Sequence, residues 1–275
     1  MALQTCQTVY YIDRHMEAVE VESVGPGSAA VYCSRSPGRE GPNEDAAALI
    51  PVAQGHCVLV LADGFGGHPA GAQAAEIAVR SVERLVCAAT PIDDTLRSAI
   101  VDGFETANQG VRDLGVGAAT TLAVVDIEGD RVRSYHVGDS AVLVVGQRGR
   151  IKMKSVAHSP VGYAVESGLI DEQEAMNHEE RHVVSNMVGS AEMRIEIGPS
   201  LVLAARDTVL VGTDGLWDNV MFDDVVEQIR KGPLEKSVQK LVADCRSRMT
   251  SPTPDLPSKP DDLTMIAFRR VRASG

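Results

Sequence analysis

The sequence predicts an α+β fold, a four-layer α-β-β-α sandwich of two antiparallel sheets flanked by helix pairs. First, Val- and Leu-rich runs are joined by short turns such as Glu128-Gly129-Asp130 and Gln147-Arg148-Gly149, which favour antiparallel hairpins. Second, helical patterns come in two pairs set between strand blocks, which places helices outside a two-sheet core; the regular strand–helix alternation of a doubly wound parallel sheet is missing. Third, aromatics make up only 4% of the chain, so the core is built from Val, Leu, Ile and Ala.

In chain order, residues 1–28 are weakly patterned and close at Gly25-Pro26-Gly27; they read as an N-terminal extension ahead of a domain spanning 29–275. Residues 29–34 and 45–52 read as strands separated by a polar loop, and 57–62 as a buried strand by length and flanks. One helix then presents Ala74, Ile77, Ala78, Val82 and Leu85 on one face. A second presents Leu96, Ile100, Phe104, Ala107, Val111 and Leu114, with Asp93 or Asp94 suited to cap its start. Strands are expected at about 119–127, 131–137 and 141–147. Residues 160–190, mostly polar and partly helical, interrupt the strands and read as a surface subdomain. Strands return near 193–197, 200–204 and 208–213. Two helices follow, carrying Val225, Val226 and Ile229, then Val238, Leu241, Val242 and Cys245, separated by Gly232-Pro233. A proline-rich loop at 250–260 precedes a last strand at 263–271.

The 275 residues are 44% hydrophobic and 23% charged, ordinary globular composition for one large domain or two small ones. A net charge of −12 argues against global nucleic-acid binding and suits simple solubility. The cysteines (Cys6, Cys33, Cys57, Cys87, Cys245) are scattered, odd in number and lack a Cys-x-x-Cys pair, so a reduced cytoplasm is expected and zinc has no thiolate cluster. No apolar stretch approaches the roughly 20 residues of a membrane span, and no signal peptide is evident. The expected location is cytoplasmic.

The informative pattern is acidic. Asp63-Gly64, Gly138-Asp139-Ser140 and Asp214-Gly215 sit at ends of strand-like runs, and Glu44-Asp45 and Asp261-Asp262 open others. Taken singly, Asp-Gly is first a turn signal. Carboxylates gathered at one sheet edge, however, repel unless cations neutralise them, and an all-oxygen set suits a hard metal ion. After Asp63 the glycines at 64, 66, 67 and 71 let the backbone pass very close to something.

Asp63-Gly64-Phe65-Gly66-Gly67-His68 resembles the Asp-Gly-x-Gly-Gly-His motif of the metal-dependent Ser/Thr protein phosphatases, the type 2C (PPM) family. Asn43-Glu44-Asp45, Gly117-Ala118-Ala119-Thr120-Thr121-Leu122, Gly138-Asp139-Ser140, Thr213-Asp214-Gly215-Leu216-Trp217-Asp218 and Asp261-Asp262-Leu263-Thr264 resemble further motifs of that family, in the family's order, over residues 29–270. The resemblance implies a type 2C phosphatase domain over 29–275 with a flap at 158–190. It also implies Mg2+ or Mn2+, two ions and a possible third. Asp63 would bridge two metals, with the Gly64 carbonyl as a further ligand. Asp214 and Asp261 would complete the first metal, Glu44 and Asp45 would hold metal-bound waters or the second, and Asp139 and Asp218 would bind a weaker third. A metal-bridged water or hydroxide would attack phosphorus in phosphoserine or phosphothreonine of a protein substrate, and His68 could protonate the leaving oxygen. No nucleic-acid or membrane partner is implied, and a monomer is expected.

The sequence departs from the family at three points. Five residues before Asp45, where the family has its phosphate-binding arginine, stands Glu40; Arg39 is one residue further back, with Arg35 as fallback. Arginine suits the role because its planar fork donates two hydrogen bonds. Ala141 follows Gly-Asp-Ser in place of arginine, and Asp262 replaces asparagine. Two other readings stand beside the phosphatase: a catalytically weak regulatory or binding member of the same fold, and a small-molecule phosphomonoesterase.

Overall fold

The computed structural model describes residues 7–53, 55–65, 69–89, 93–254 and 256–271. Its strands are β1 (Val9–Ile12), β2 (Glu20–Val24), β3 (Gly27–Ser34), β4 (Asp45–Ala53), β5 (His56–Phe65), β6 (Ala119–Thr120), β7 (Leu122–Glu128), β8 (Arg131–Val137), β9 (Ala141–Val145), β10 (Ile151–Lys154), β11 (Glu196–Ile197), β12 (Leu201–Val202), β13 (Thr208–Gly212) and β14 (Leu263–Arg270). Its helices are α1 (Pro69–Ala88), α2 (Asp93–Arg112), α3 (Pro160–Glu166), α4 (Glu172–Met176), α5 (Asp214–Trp217), α6 (Phe222–Ile229) and α7 (Leu234–Thr250).

One sheet runs β1-β4-β5-β7-β8-β11, with β12 also on β8 and β6 on β5; the other runs β10-β9-β13-β14-β3-β2. The pairings among the described strands are antiparallel. The central strands carry two apolar faces, because both are covered. Along β5, Cys57, Leu59 and Leu61 face the second sheet, while Val58, Val60 and Ala62 pack with α1 and α2. The α1 face is small and aliphatic (Ala74, Ala75, Ala78, Val79 and Val82) and packs against Ile100, Phe104 and Ala107 of α2, which lets the pair lie close. On the far side, α7 covers β3 and β14 and packs with α6, with Val225, Ile229, Val238, Leu241 and Cys245 in the same apolar core. The α-β-β-α order expected from the sequence is the order found.

The N-terminal boundary is corrected. β1 pairs with β4 and β2 with β3, so the segment read as an extension supplies an edge strand to each sheet, and position 29 falls inside β3. These strands are short and β2 has charged residues, Glu20 and Glu22, that guard its open edge; such strands leave a weak apolar signal. β10 was likewise absent from the expected strand order, and the strand expected at 119–127 divides into β6 and β7.

Candidate metal centre

The acidic residues converge because their strands end at one edge of the sandwich. Asp45 is the first residue of β4 and stands opposite Asp63 of β5 in the antiparallel register. Asp139 lies in the turn that carries the chain from β8 in one sheet to β9 in the other. Asp214 follows β13 directly, and Asp261 precedes β14, the neighbour of β13. Both sheets therefore contribute carboxylates to one place.

The backbone around them is fastened. The Asp63 amide donates to Thr121 Oγ1 (2.9 Å), and the Asp63 carbonyl accepts from Thr121 N (2.8 Å) and Thr120 Oγ1 (2.9 Å). Thr121 Oγ1 also meets Ser140 Oγ at 2.7 Å, tying the Asp63 strand to the Asp139 turn. Asp45 Oδ2 accepts from Thr213 Oγ1 at 3.1 Å. Gly64 has no room for a side chain: a Cβ there would lie 2.1 Å from the Gly71 carbonyl oxygen and 2.8 Å from that of Glu44. At Gly215 a Cβ would lie 1.9 Å from the Asp262 carbonyl oxygen, so the Asp214 turn can seat against β14 only as glycine.

The electrostatics are those of crowded, buried acids. Burial, and then the carboxylates of Asp214, Asp45, Asp261 and Asp139, push Asp63 well above the usual carboxylate range. Asp45 is raised by burial and by Asp262, Asp214 and Asp261. Asp139 is pushed up to about 7 by burial and by Asp214 and Asp218. Burial is also the first cause of the upward shifts at Asp214 and Asp261. Asp45 Oδ1 and Asp139 Oδ1 are buried without a hydrogen-bond partner. Orphaned carboxylate oxygens among mutually repelling acids fit hard, oxygen-ligated cations.

Arg39 Nη2 donates to Glu44 Oε2 at 2.5 Å, and the Arg39 side chain is 29% exposed at the rim. Arg35 instead donates to the Gly41 carbonyl at 2.7 Å and braces the loop from within. His68 lies outside the described residues, as do Gly66 and Gly67. Asp262 is a loop anchor: its two oxygens accept from Ser36 N (2.7 Å) and Glu44 N (2.6 Å), holding the ends of the segment that carries Arg39. Trp217 packs against the core and donates Nε1 to the Gly212 carbonyl at 2.8 Å. His136 is buried, pairs with the Val156 carbonyl at 2.9 Å and stacks on His158.

His136, His158 and Glu196 stand close enough to suggest a second metal site. The hydrogen bonds argue otherwise. His158 Nδ1 accepts from Gly138 N (3.1 Å) and Asn186 Nδ2 (2.9 Å), so its proton sits on Nε2, aimed at Glu196 Oε2 3.3 Å away. The trio is a hydrogen-bonded strut between the Asp139 turn and the insertion. The sequence reading missed one residue entirely: Lys259, whose ammonium lies against Asp214 and within 3.1 Å of Asp218 and 3.0 Å of Asp261. Its only sequence signal is a lone lysine between Pro257 and Pro260, two residues ahead of Asp261.

The family model for protein phosphatase 2C matches residues 37–248. A putative protein phosphatase 2C-type of Streptococcus pyogenes is 28% identical over 200 residues, covering 69% of this chain and 79% of its own. Among solved structures, the serine/threonine phosphatase of S. agalactiae superposes with a TM-score of 0.75 at 26% identity, over 89% of this chain and 99% of that one. The catalytic domain of the serine/threonine phosphatase PstP, in complex with two manganese ions, has the same fold (TM-score 0.69, 23% identity, 89% of this chain and 98% of that one). The family match spans the strands and turns that bring Asp45, Asp63, Asp139 and Asp214 together, and the chain belongs to the protein phosphatase 2C family of serine/threonine phosphatases.

Proposed function

We propose that the protein hydrolyses phosphoserine and phosphothreonine in protein substrates at the strand-end cluster, using Mg2+ or Mn2+. The observation that carries this reading is the convergence of Asp45, Asp63, Asp139, Asp214 and Asp261 with orphaned buried oxygens and raised pKa values. Divalent cations held by these oxygens supply an activated water near neutral pH and neutralise charge on the phosphoryl group. Asp63 would hold two ions, with the Gly64 carbonyl beside it; Asp214 and Asp261 would complete the first, and Glu44 and Asp45 would serve the second or its waters. Arg39, held at the rim by Glu44, receives the phosphoryl oxygens and orients the ester. His68, in the glycine loop, is the assigned donor to the leaving oxygen.

The match to the protein phosphatase 2C family favours protein over small-molecule substrates. The intact acidic set counts against the regulatory reading, because a non-catalytic fold has no use for mutually repelling buried charges. A cytoplasmic location agrees with Cys33, Cys57, Cys87 and Cys245, none of which forms a disulfide; among the described residues no helix is long and apolar enough to cross a membrane. Light scattering checks the expected monomer.

The test is hydrolysis of an aryl phosphate and of a phosphothreonine peptide with Mn2+ and with chelator. Turnover of both is expected only with metal; no metal-dependent turnover by pure protein overturns the reading. Arg39→Ala should raise KM about tenfold, the equivalent of losing one charge-assisted hydrogen bond of roughly 1.5 kcal/mol, with a smaller change in kcat. An unchanged KM would remove Arg39 from the site.

A further inference from the structure

A cleft opens between the insertion at 158–190 and the sandwich. The insertion contributes Val161 and Val165 of α3 and Met176 of α4; the other side contributes Val220, Trp217 and Phe222, with the two aromatic rings 6.3 Å apart. Asp139, Asp214 and Asp218 belong to the same lining, so the cleft is continuous with the acidic cluster. The other polar groups of the lining are engaged. Lys154 Nζ pairs with Glu172 and lies 4.2 Å from the centroid of the Phe222 ring. Arg181 donates to the carbonyls of Met176 and Ser258, the latter at 3.3 Å. Ser155 Oγ and Ser159 Oγ accept the amides of Val142 and Gly162, each at 2.8 Å. Glu166 is solvent-exposed. Away from the three aspartates, the walls are aliphatic and aromatic.

Size and place limit what such a cleft takes. Its volume is about 160 Å³, close to the roughly 150 Å³ of an engineered apolar cavity that holds benzene. That is room for one ring or one branched aliphatic side chain. A polar occupant would exchange water for walls that offer it no partner, at a net cost. The occupant that arrives with every turnover is the substrate itself. A phosphorylated side chain seated at the aspartates brings its chain neighbours along, spaced roughly 3.3 Å per residue when extended, to the lining that Asp139, Asp214 and Asp218 share.

We propose that the cleft is a specificity pocket that receives one apolar side chain, of leucine or phenylalanine size, within two residues of the phosphoserine or phosphothreonine. The proposal rests on the phosphatase reading above and adds to it the kind of sequence that is chosen. Selection at this pocket works by burial of apolar surface. The exposed acids Asp171, Glu174, Glu179 and Glu180 of the insertion line a separate, solvated hollow and take no part in it.

The experiment measures kcat/KM with Mn2+ on a phosphothreonine peptide that has alanine on both sides. The same peptide is then tried with a single leucine, phenylalanine or aspartate at each of the two preceding and two following positions. Leucine or phenylalanine at one position is expected to raise kcat/KM about tenfold over alanine, the effect of burying the better part of one such side chain. Aspartate there should give no gain. Ala175→Phe, which puts a ring into the cleft from α4, should bring the apolar-to-alanine ratio down to about one. Equal rates for alanine and apolar peptides at every position overturn the proposal, as does Ala175→Phe with the wild-type preference intact. If Ala175→Phe does not fold, Met176→Ala decides in its place: the enlarged cleft should raise tryptophan relative to leucine, and an unchanged order overturns the proposal. Aryl phosphate, which has no neighbouring residues, separates the two readings. Wild-type protein that hydrolyses it and the alanine peptide without any apolar preference sinks the pocket alone. Wild-type protein that hydrolyses aryl phosphate but no peptide sinks the protein-substrate reading, and one that hydrolyses neither sinks the phosphatase reading; the pocket falls with each.

Discussion

The strand-end cluster and the insertion that borders it are built on opposite principles. The cluster gathers charges that destabilise one another, and rigid neighbours hold them: β4, β5, β13 and β14 lie in the middle of the sheets, and Thr120, Thr121 and Thr213 are fully buried. The insertion is tied to the sandwich at its ends, through His158 to Gly138 and Val188 to Thr120, but its helices α3 and α4 are mostly exposed and capped locally. Ser159 caps α3 by accepting from Gly162 N at 2.8 Å, and Asp171 and Glu174 form a reciprocal capping box at the start of α4. The two helices, held by their own caps, can vary without disturbing the sandwich, whereas the cluster depends on every strand around it. The chemistry belongs to the first region, and the second is suited to choosing what reaches it.

The largest expected effect comes from neutralising a member of the cluster. Asp63→Asn should lower turnover with Mn2+ by more than about a hundredfold, the range that loss of a mere outer-shell partner can reach. In chelator the same variant should melt no lower than wild type, because it removes a carboxylate that the fold destabilises. Substantial residual turnover would show that Asp63 is not the bridge, and a sharp loss of stability would show that the carboxylate is structural.

A smaller effect should appear as a pH dependence confined to the cluster. Asp45, Asp63, Asp139, Asp214 and Asp261 have pKa values raised above those of an unfolded chain, with Asp139 near 7. The folded protein therefore binds more protons than the unfolded one in that window. Stability in chelator should fall as pH rises from the ordinary aspartate range through about 7. Saturating Mn2+, which favours the ionised acids, should flatten that fall. Melting curves across pH with and without metal test this, and a metal-free protein that gains stability toward pH 8 would contradict the assignment of repulsion.

The smallest effect belongs to the insertion. Asp171→Ala removes the cap of α4 and should cost about 1 kcal/mol locally. Aryl phosphate turnover should stay within about twofold, while relative rates on different phosphopeptides shift more. If the variant instead lost aryl phosphate turnover as Asp63→Asn does, the contrast between the two regions would fail.

The sequence by itself determined the layers and the acids. Paired helical patterns between blocks of strands left few arrangements in which both faces of a run such as Cys57–Ala62 could be buried, and carboxylates at strand ends had to meet wherever those strands ended together. Tertiary structure decided what depends on contacts between segments far apart in the chain. It placed β1 and β2 in the sheets, because short edge strands are recognised by their partners more than by their own pattern. It separated Arg39 from Arg35, since the direction of a side chain in a loop is set by what holds the loop, here Asp262 reaching from the far end of the chain to Ser36 and Glu44. And it brought the Lys259 loop to the Asp214 turn through Asn219, whose side chain bonds to the Lys259 backbone and the Gly215 carbonyl: a lone lysine has no sequence signature, and only the loop's anchorage decides where it lies.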